Sequence, residues 1–481
     1  SMWSTETLRH LGMLEAQILY AMGVKPRWDE GGRVVGMEVI PLQELGRPRI
    51  DTVISLTGLY RDQFPNVMER FNEAIQLLAE QPEPREKNFI RANTERIEAA
   101  LRQQGVPAQE AREFALTRIF GNESGDYSTK LTDASLASDM WEEGDGKLEK
   151  LYLSRMSWAY GPNTANWSRK LEGPTGREIN TYAEHLRGTS AAVFSRSSNL
   201  RGLLDTDHPF EYLGGISLAV KHLDGKNPQL YISNMRDPNR ARLQTAEKFM
   251  ATELRSVYQH PNWMKEMMQE GYSGTLQMLN TVNNFWGWQV MDRNVVRDDQ
   301  WQEFHEAYVN DRHRLGTREW FEKNNPTALA QVAERMLEAI RKDYWHADER
   351  TQRELVATYQ DLAARHDVHT SNEIFKAYVA ELAQGFGIGA RPAPAAPSAP
   401  AAASPQAAQP QPPAPEPEPP APPPVVRGQE LREVLRDTPV QQLIWAYAWL
   451  LGAVVLAGMA WQTWRARRNR IFSSISLKAN A

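Results

Sequence analysis

The chain has 481 residues, of which 41% are hydrophobic and 24% are charged, so its composition is that of a globular protein and excludes a wholly disordered chain. It carries 55 basic and 60 acidic residues, a formal net charge of -5, and this balance disfavours nucleic acid as a partner. Cysteine is absent, which excludes disulfides, zinc ribbons, iron–sulfur clusters and thiol catalysis.

Residues 1–389 have the composition of a folded body in which short β-type runs alternate with long amphipathic patterns. A helix is predicted to begin at Asn325, a good N-cap residue, with Pro326 in its first turn. The sequence therefore predicts the α/β class, as a large mixed α/β body with a helical C-terminal region. The clearest β-type runs are residues 34–40, 52–56 and 230–233.

The last part of the chain differs sharply in composition from the body. Residues 390–426 are rich in proline and alanine and are predicted to form a disordered, extended linker, because they have too few large apolar side chains to offset the entropy of ordering. Residues 427–442 are predicted to form a juxtamembrane segment, residues 443–464 a transmembrane helix, and residues 465–481 a cytoplasmic basic tail.

The predicted transmembrane helix rests on nineteen consecutive uncharged residues, 443–461. At about 1.5 Å per residue they span about 28 Å, close to the thickness of a hydrocarbon core. The alternative is a buried core helix. Arginines that follow the span favour a cytoplasmic C-terminus, which predicts a single-pass inner-membrane protein with a periplasmic body if the source is a Gram-negative bacterium. They are Arg465, Arg467, Arg468 and Arg470.

Several phrases of the body together resemble the CobN and magnesium-chelatase H-subunit family. The resemblance runs in order from about Trp3 to Trp345 and covers only the C-terminal part of the family's very large subunits. It is carried by Gly-Arg-Pro-Arg-Ile-Asp at 46–51, Gly-Leu-Tyr-Arg-Asp-Gln-Phe-Pro-Asn at 58–66, Arg-Ile-Phe-Gly at 118–121, Tyr-Leu-Ser-Arg at 152–155 and Asp-Asp-Gln at 298–300.

The resemblance implies a subunit that holds a tetrapyrrole and acts on its metal–nitrogen bonds. The metal would be a divalent ion, with Co2+, Mg2+ and Fe2+ all open, and separate ATPase subunits would drive insertion. Consistent with separate ATPases, the chain has no phosphate-binding loop ending in Gly-Lys-Ser/Thr, so no ATP site is predicted in it.

Catalytic candidates lie in the sequence Asp205-Thr206-Asp207-His208. Metal transfer needs a carboxylate or imidazole for the metal and a base for the pyrrole protons, and this stretch offers two carboxylates and one imidazole. Asp205, Asp207 and His208 are therefore the predicted catalytic residues. A capped helix start explains the same residue types equally well.

Substrate-binding candidates are arginines, acids and aromatic residues of the matching phrases. Arginine can hold acidic or amide arms of a macrocycle through its planar fork, and tryptophan can stack on a flat ring. Arg61 and Asp62 can equally form a structural ion pair, and the two tryptophans can equally belong to a core cluster. The predicted set is Arg61, Asp62, Arg118, Tyr127, Arg155, Tyr212, Trp286 and Trp288.

Two departures from the family pattern leave the direction of the reaction open. Residues 198–202 read Ser-Asn-Leu-Arg-Gly where cobalt-inserting relatives carry Asn-Arg-Glu-His-Asp, and the predicted anchor would place the body where ATP is absent. Around residues 284–301 the chain resembles membrane-anchored CobN-like proteins of haem-uptake loci, of the HmuS type. The predicted function is a CobN-type chelatase subunit that inserts cobalt or another metal. The alternatives are a periplasmic haem or tetrapyrrole dechelatase working with a metal or haem uptake system, or a non-catalytic tetrapyrrole-binding module.

Overall fold

The computed structural model describes residues 1–388, and they form a mixed α/β body. The strands are β1 Val24–Trp28, β2 Val34–Val39, β3 Ile54–Leu56, β4 Ile119–Gly121, β5 Trp158–Ala159, β6 Leu171–Glu172, β7 Glu178–Ile179, β8 Ala191–Arg196, β9 Gln229–Asn234 and β10 Arg242–Thr245.

Two three-stranded sheets organise the body. In one, β3 pairs in parallel with β4, and β4 pairs antiparallel with β5. In the other, β8 pairs in parallel with β9, and β9 pairs antiparallel with β10. The hairpins β1–β2 and β6–β7 are separate two-stranded sheets.

Helices supply most of the remaining structure of residues 1–388. The α-helices are α1 Ser4–His10, α2 Met13–Met22, α3 Leu42–Leu45, α4 Gly58–Gln63, α5 Pro65–Ala79, α6 Phe89–Gln103, α7 Ala108–Leu116, α8 Leu131–Leu136, α9 Lys147–Arg155, α10 Thr181–Leu186, α11 Gly215–Asp224, α12 Ala246–Glu253, α13 Pro261–Gln269, α14 Tyr272–Met291, α15 Asp298–Phe304, α16 Thr317–Asn324, α17 Pro326–Arg341, α18 Glu349–His366 and α19 Glu373–Gly385. Wider π-helical turns occur at Pro209–Gly214, Leu254–Tyr258 and His305–Val309, and short 3-10 turns at Thr164–Asn166 and Pro238–Arg240.

The mixed α/β class and its helical C-terminal region are confirmed. The β-type runs predicted from the sequence correspond to β2, β3 and β9. The side chain of Asn325 accepts a hydrogen bond from the Ala328 amide, 3.2 Å away, and α17 begins at Pro326 as predicted. Leu329 and Met336 on its apolar stripe are fully buried, which is the packing that the 3.6-residue period indicated.

Trp286 and Trp288, predicted to stack on a macrocycle, lie in the protein core. Both are on α14 and both are fully buried. The Trp286 indole donates a hydrogen bond to the Ser135 carbonyl, 3.0 Å away, and packs against Trp141 and Tyr344. A flat ligand has no access to either indole, so the prediction of a stacking platform here is wrong and the alternative of a core aromatic cluster is correct.

Arg118, predicted to hold an arm of the substrate, is also an interior residue. Its guanidinium is completely buried, forms an ion pair with Asp51 at 2.7 Å, and donates to the carbonyls of Ala115 and Ile90 and to the Thr94 hydroxyl. These contacts tie the start of β4 to α6 and α7. The substrate-binding role is therefore corrected to a structural one.

The predicted linker (390–426), juxtamembrane segment (427–442), transmembrane helix (443–464) and tail (465–481) lie outside the described residues. Within residues 1–388, none of the helices combines the length and the apolar character that a bilayer span requires.

Candidate functional site

The candidate site lies where several parallel strands end. The chain leaves β3 into α4, which carries Arg61, leaves β4 into a loop of residues 122–130, and leaves β8 into residues 197–208. Ligands in α/β proteins commonly bind beyond the carboxyl ends of parallel strands, because loops from different strands converge there. Hydrogen bonds between these segments show that they meet.

Asp207, His208 and Glu211 form one side-chain group at the start of the π-helical turn. One carboxylate oxygen from each acid and one ring nitrogen of His208 all lie within 4.8 Å of one another. Glu211 follows Asp207 by four residues, a spacing that puts both side chains on one face of a helix. His208 Nδ1 is 3.0 Å from Asp207 Oδ1, so the imidazole donates to the carboxylate.

Glu211 is a buried carboxylate that the loop 122–130 holds in place. Its Oε1 atom accepts hydrogen bonds from the Ser128 hydroxyl at 3.0 Å, from the Thr129 amide at 2.7 Å and from the Thr129 hydroxyl at 2.6 Å. The residue is only 2% exposed, and burial, assisted by the nearby charge of Asp207, raises the pKa of its carboxyl group.

The Asp207–His208 pair is tuned toward an ionised carboxylate and a protonated imidazole. The hydrogen bond from His208 lowers the pKa of Asp207. Burial acts to lower the pKa of His208, but the hydrogen bond to Asp207 and the charges of Asp207 and Glu211 outweigh it, so the pKa of His208 is raised. The imidazole therefore holds its proton more tightly than an ordinary histidine does.

An aromatic column fixes the plane of the His208 ring. The ring stacks on Trp3 with centroids 5.4 Å apart and on Tyr212 with centroids 6.0 Å apart, and Trp3 stacks in turn on Phe194 of β8. The Arg196 guanidinium lies 5.6 Å from the centroid of the Trp3 ring. Because aromatic neighbours limit its rotation, the imidazole is held in one orientation.

The loop 122–130 is held from two sides by arginines. Arg61 is almost fully buried and donates to the carbonyls of Asn122, Glu123 and Asp126, while Arg155 pairs with the Asp126 carboxylate and donates to the Ser128 carbonyl. Both arginines were predicted to bind the substrate, but in the structure they bind the loop. Asp62 pairs with Arg61 at 2.7 Å, which is the structural ion pair that the sequence left open.

Tyr127, at the tip of the loop, presents an aromatic surface beside the site. The residue is 49% exposed, its hydroxyl donates to Asp62 at 2.8 Å, and the Arg61 guanidinium lies 5.4 Å from the centroid of its ring. Asp62 and Arg61 therefore fix the ring while its other side stays accessible.

Gly58, the first residue of α4, allows the loop to pass close by. A Cβ atom at this position would lie 2.5 Å from the Asp126 carbonyl oxygen and 2.6 Å from Tyr127 Cδ1. We expect Gly58→Ala to displace the loop, to lower the free energy of unfolding by about 1–3 kcal/mol, and to accelerate tryptic cleavage after the exposed Lys130. Limited proteolysis and urea denaturation measure both effects. Gly385→Ala, where a Cβ meets no atom within 4 Å, is the control, and unchanged cleavage in Gly58→Ala would contradict the close contact.

The helix that carries the site packs closely on α14. The ring of Phe210, between His208 and Glu211 in sequence, lies against Gly287, where a Cβ would come within 2.6 Å of the ring. The sequence Trp286-Gly287-Trp288 therefore belongs to the core, and the absence of a side chain at Gly287 leaves room for the Phe210 ring.

The structure brings together part of the predicted set. Asp207 and His208 are hydrogen-bonded to each other. The Tyr212 ring stacks on His208, and its hydroxyl donates to the Asn122 side-chain oxygen at 2.9 Å, so Tyr212 orients His208 and does not contact a ligand itself. Asp205 lies outside the group, and its Oδ2 accepts the Gly202 amide at 2.5 Å, which is a turn-forming contact.

Glu211 and Trp3 are site residues that sequence reasoning missed. The spacing of four residues between Asp207 and Glu211 was a usable signal, because it indicates one helix face. No local signal pointed to Trp3, since it reaches His208 only through the fold.

A cavity of about 500 Å3 lies elsewhere, at the amino ends of β3 and β8. Its lining includes residues 50–55 before and within β3 and residues 188–193 before and within β8. It contains none of the group Asp207, His208 and Glu211, and more of its lining surface is apolar than polar.

Comparisons with known proteins show the family to which this chain belongs. The model of the CobN/Magnesium Chelatase family matches residues 1–352. The chain is 31% identical over 347 residues to the aerobic cobaltochelatase subunit CobN of Sinorhizobium sp, covering 71% of this chain and 26% of that protein. It is 31% identical over 368 residues to the magnesium-chelatase H-subunit of Rhodobacter capsulatus, covering 76% of this chain and 29% of that protein.

A solved structure agrees with these similarities. The catalytic subunit of cobaltochelatase from Mycobacterium tuberculosis superimposes with a TM-score of 0.67 at 29% identity, covering 75% of this chain and 29% of that one. The chain thus spans between a quarter and a third of the length of these relatives. From the family match and the shared fold, the chain belongs to the CobN/Magnesium Chelatase family.

Proposed function

We propose that this chain is part of a CobN-type metal chelatase large subunit and acts on the metal–nitrogen bonds of a tetrapyrrole. The observation that carries the proposal is the group of Asp207, His208 and Glu211 beside the exposed ring of Tyr127, at the carboxyl ends of β3, β4 and β8. Membership in the family, and the cobaltochelatase and magnesium-chelatase subunits among its relatives, support it.

The acid–base groups of the site match the proton balance of such a reaction. When a divalent ion enters a free tetrapyrrole, two pyrrole N–H bonds break and two protons leave, and removal of the ion needs two protons in return. His208, hydrogen-bonded to Asp207, and Glu211, with its raised pKa, are two groups able to accept and return them. Insertion and removal use the same groups.

The macrocycle would rest on the surface that Tyr127 presents. An exposed aromatic ring that cannot rotate freely offers a flat apolar contact, and the Tyr127 ring is held by its bond to Asp62 and by Arg61. Tyr127 takes the role that the sequence assigned to the buried Trp286 and Trp288.

The reaction proposed first is metal insertion, by analogy with the relatives. Its substrate would be cobalt or another divalent metal, and its partners would be separate ATPase subunits. Removal of the metal from haem or another tetrapyrrole, by a membrane-anchored periplasmic protein, is the alternative. A non-catalytic tetrapyrrole-binding module is a further alternative, and one experiment distinguishes the three.

The experiment mixes the purified full chain with deuteroporphyrin, with deuteroporphyrin plus Co2+, and with haem, and follows the Soret and visible bands. The proposal expects a saturable change on binding, followed by conversion in one direction. Binding without conversion, also after chelatase ATPase subunits and ATP are added, favours the binding module, and no saturable change with any tetrapyrrole contradicts the proposal.

A pair of tyrosine variants tests where the ring binds. We expect Tyr127→Ala to weaken porphyrin binding by about tenfold. One stacked aromatic pair contributes about 0.5–1.5 kcal/mol beyond the apolar area that it buries, and the variant loses both contributions. Tyr20→Ala is the matched control, since Tyr20 is also exposed and also lies under an arginine, Arg47. Equal losses in both variants would rule out Tyr127 as the contact surface.

A further inference from the structure

We infer that Asp207, His208 and Glu211 bind a divalent transition-metal ion of the Co2+ or Fe2+ type in preference to Mg2+, and that they do so without a tetrapyrrole. The inference rests on the proposed function in that the ion would be the metal that the subunit transfers. It goes further by naming the residues that hold the ion and the class of ion that they select.

The geometry of the three side chains suits one ion. His208 supplies a ring nitrogen and the two acids supply one oxygen each, and these three atoms lie within 4.8 Å of one another. Metal–ligand distances of about 2.1 Å therefore need only small side-chain rotations. Glu211 lies in the π-helical turn Pro209–Gly214, His208 is its N-cap, and Asp207 directly precedes it with its carbonyl accepting the Glu211 amide at 2.9 Å, so one short stretch of chain fixes their relative positions.

Neighbouring groups orient each of the three donors. Ser128 and Thr129 occupy only Oε1 of Glu211, which leaves Oε2 without a protein hydrogen bond among the described residues. Thr132 donates to Asp207 Oδ2 at 3.0 Å. Trp3 and Tyr212 stack on the His208 ring. Outer contacts of this kind are what metal sites use to set ligand orientation.

In the part of the chain that the structure describes, no lysine or arginine balances the buried carboxylate of Glu211. Three of the other buried glutamates, Glu6, Glu253 and Glu338, each form an ion pair with an arginine. Within residues 1–388, neither Glu211 nor Asp207 has a lysine or arginine at ion-pair distance. Asp207 pairs with His208 instead, at 3.0 Å. A buried carboxylate without a counter-charge is costly, and a bound cation removes that cost.

The donor set determines which ions bind well. Mg2+ prefers oxygen ligands and keeps several waters, whereas imidazole nitrogen suits iron, nickel, copper and zinc and, in the same affinity series, cobalt. One imidazole with two carboxylates therefore favours a transition metal. The selectivity belongs to His208, since the two acids alone would accept either class.

The test titrates Co2+ into the purified full chain, free of any histidine tag and of tetrapyrrole, and follows the visible absorption of protein-bound Co2+. We expect one saturable site that an excess of Mg2+ does not displace. His208→Gln and Glu211→Gln each remove one metal ligand. Loss of a residue that only orients a ligand typically weakens metal binding by about 10- to 100-fold, so we expect each of these variants to weaken Co2+ binding by at least that factor. Far-UV circular dichroism checks that both variants are folded.

His346→Gln is the matched control. The His346 ring also lies between two carboxylates, 3.0 Å from Asp298 and 3.2 Å from Asp343, but it is exposed and its two nitrogens face different acids. We expect this variant to bind Co2+ like the unaltered chain.

The outcomes separate this inference from the proposed function. Co2+ binding that is equal in all variants, or displaced by equimolar Mg2+, overturns the metal site. Porphyrin binding without Co2+ binding also overturns it and leaves the proposed function standing. Co2+ binding that depends on His208 and Glu211, without any porphyrin binding, supports the metal site and removes the support for the proposed function.

Discussion

Replacing Arg118 with methionine is expected to lower the free energy of unfolding by about 3–5 kcal/mol, because it breaks an ion pair whose arginine is fully buried and whose acid, Asp51, is only 11% exposed. Methionine matches the length of the arginine stem but donates no hydrogen bonds. Asp51 would lose its ion pair, and the carbonyls of Ala115 and Ile90 would each lose the hydrogen bond that Arg118 donates. Urea denaturation followed by circular dichroism measures the change.

Arg102→Met is the control for this substitution, since Arg102 is an exposed residue near the end of α6. We expect its unfolding midpoint to stay close to that of the unaltered chain. If Arg118 instead held a substrate arm, Arg118→Met would keep its stability and lose porphyrin affinity. That result would restore the binding role and refute the structural one.

Replacing Trp286 with alanine is expected to cost about 3–5 kcal/mol of stability, which is typical of a large aromatic residue removed from a core. The indole fills a space bounded by Trp141, Tyr344 and Arg335, and its N–H satisfies the Ser135 carbonyl. Alanine would leave a cavity and an unpaired carbonyl. Thermal and urea unfolding both report the loss.

Trp28→Ala provides the comparison, because Trp28 lies in β1 and is 59% exposed. We expect little change in stability from it. Porphyrin affinity of the folded fraction of Trp286→Ala, measured at low temperature, should equal that of the unaltered chain. A selective loss of affinity with normal stability would show that the indole is a ligand contact after all.

Local sequence patterns predicted helices and strands well where neighbouring residues alone determine the element. The N-cap at Asn325 and the runs that became β2, β3 and β9 needed only the period and the capping chemistry of neighbouring residues. Asp207 and His208 were found for the same reason, since they are adjacent and chemically distinct.

Burial was the property that the sequence could not supply. Arginine and tryptophan suit both a binding surface and an interior, and only the packing of α6, α7 and α14 shows that Arg118 and Trp286 belong to the interior. Trp3 was missed for the converse reason: it is far from His208 along the chain, and the fold alone brings the two rings together.

The contact between Phe210 and Gly287 makes these two positions share a single volume. A member of the family that carries a larger side chain at the position of Gly287 must carry a smaller one at that of Phe210, or else move the turn that bears Asp207, His208 and Glu211. The spacing of the three donor groups therefore depends partly on the packing of α14, and a redesign of the site would have to begin there.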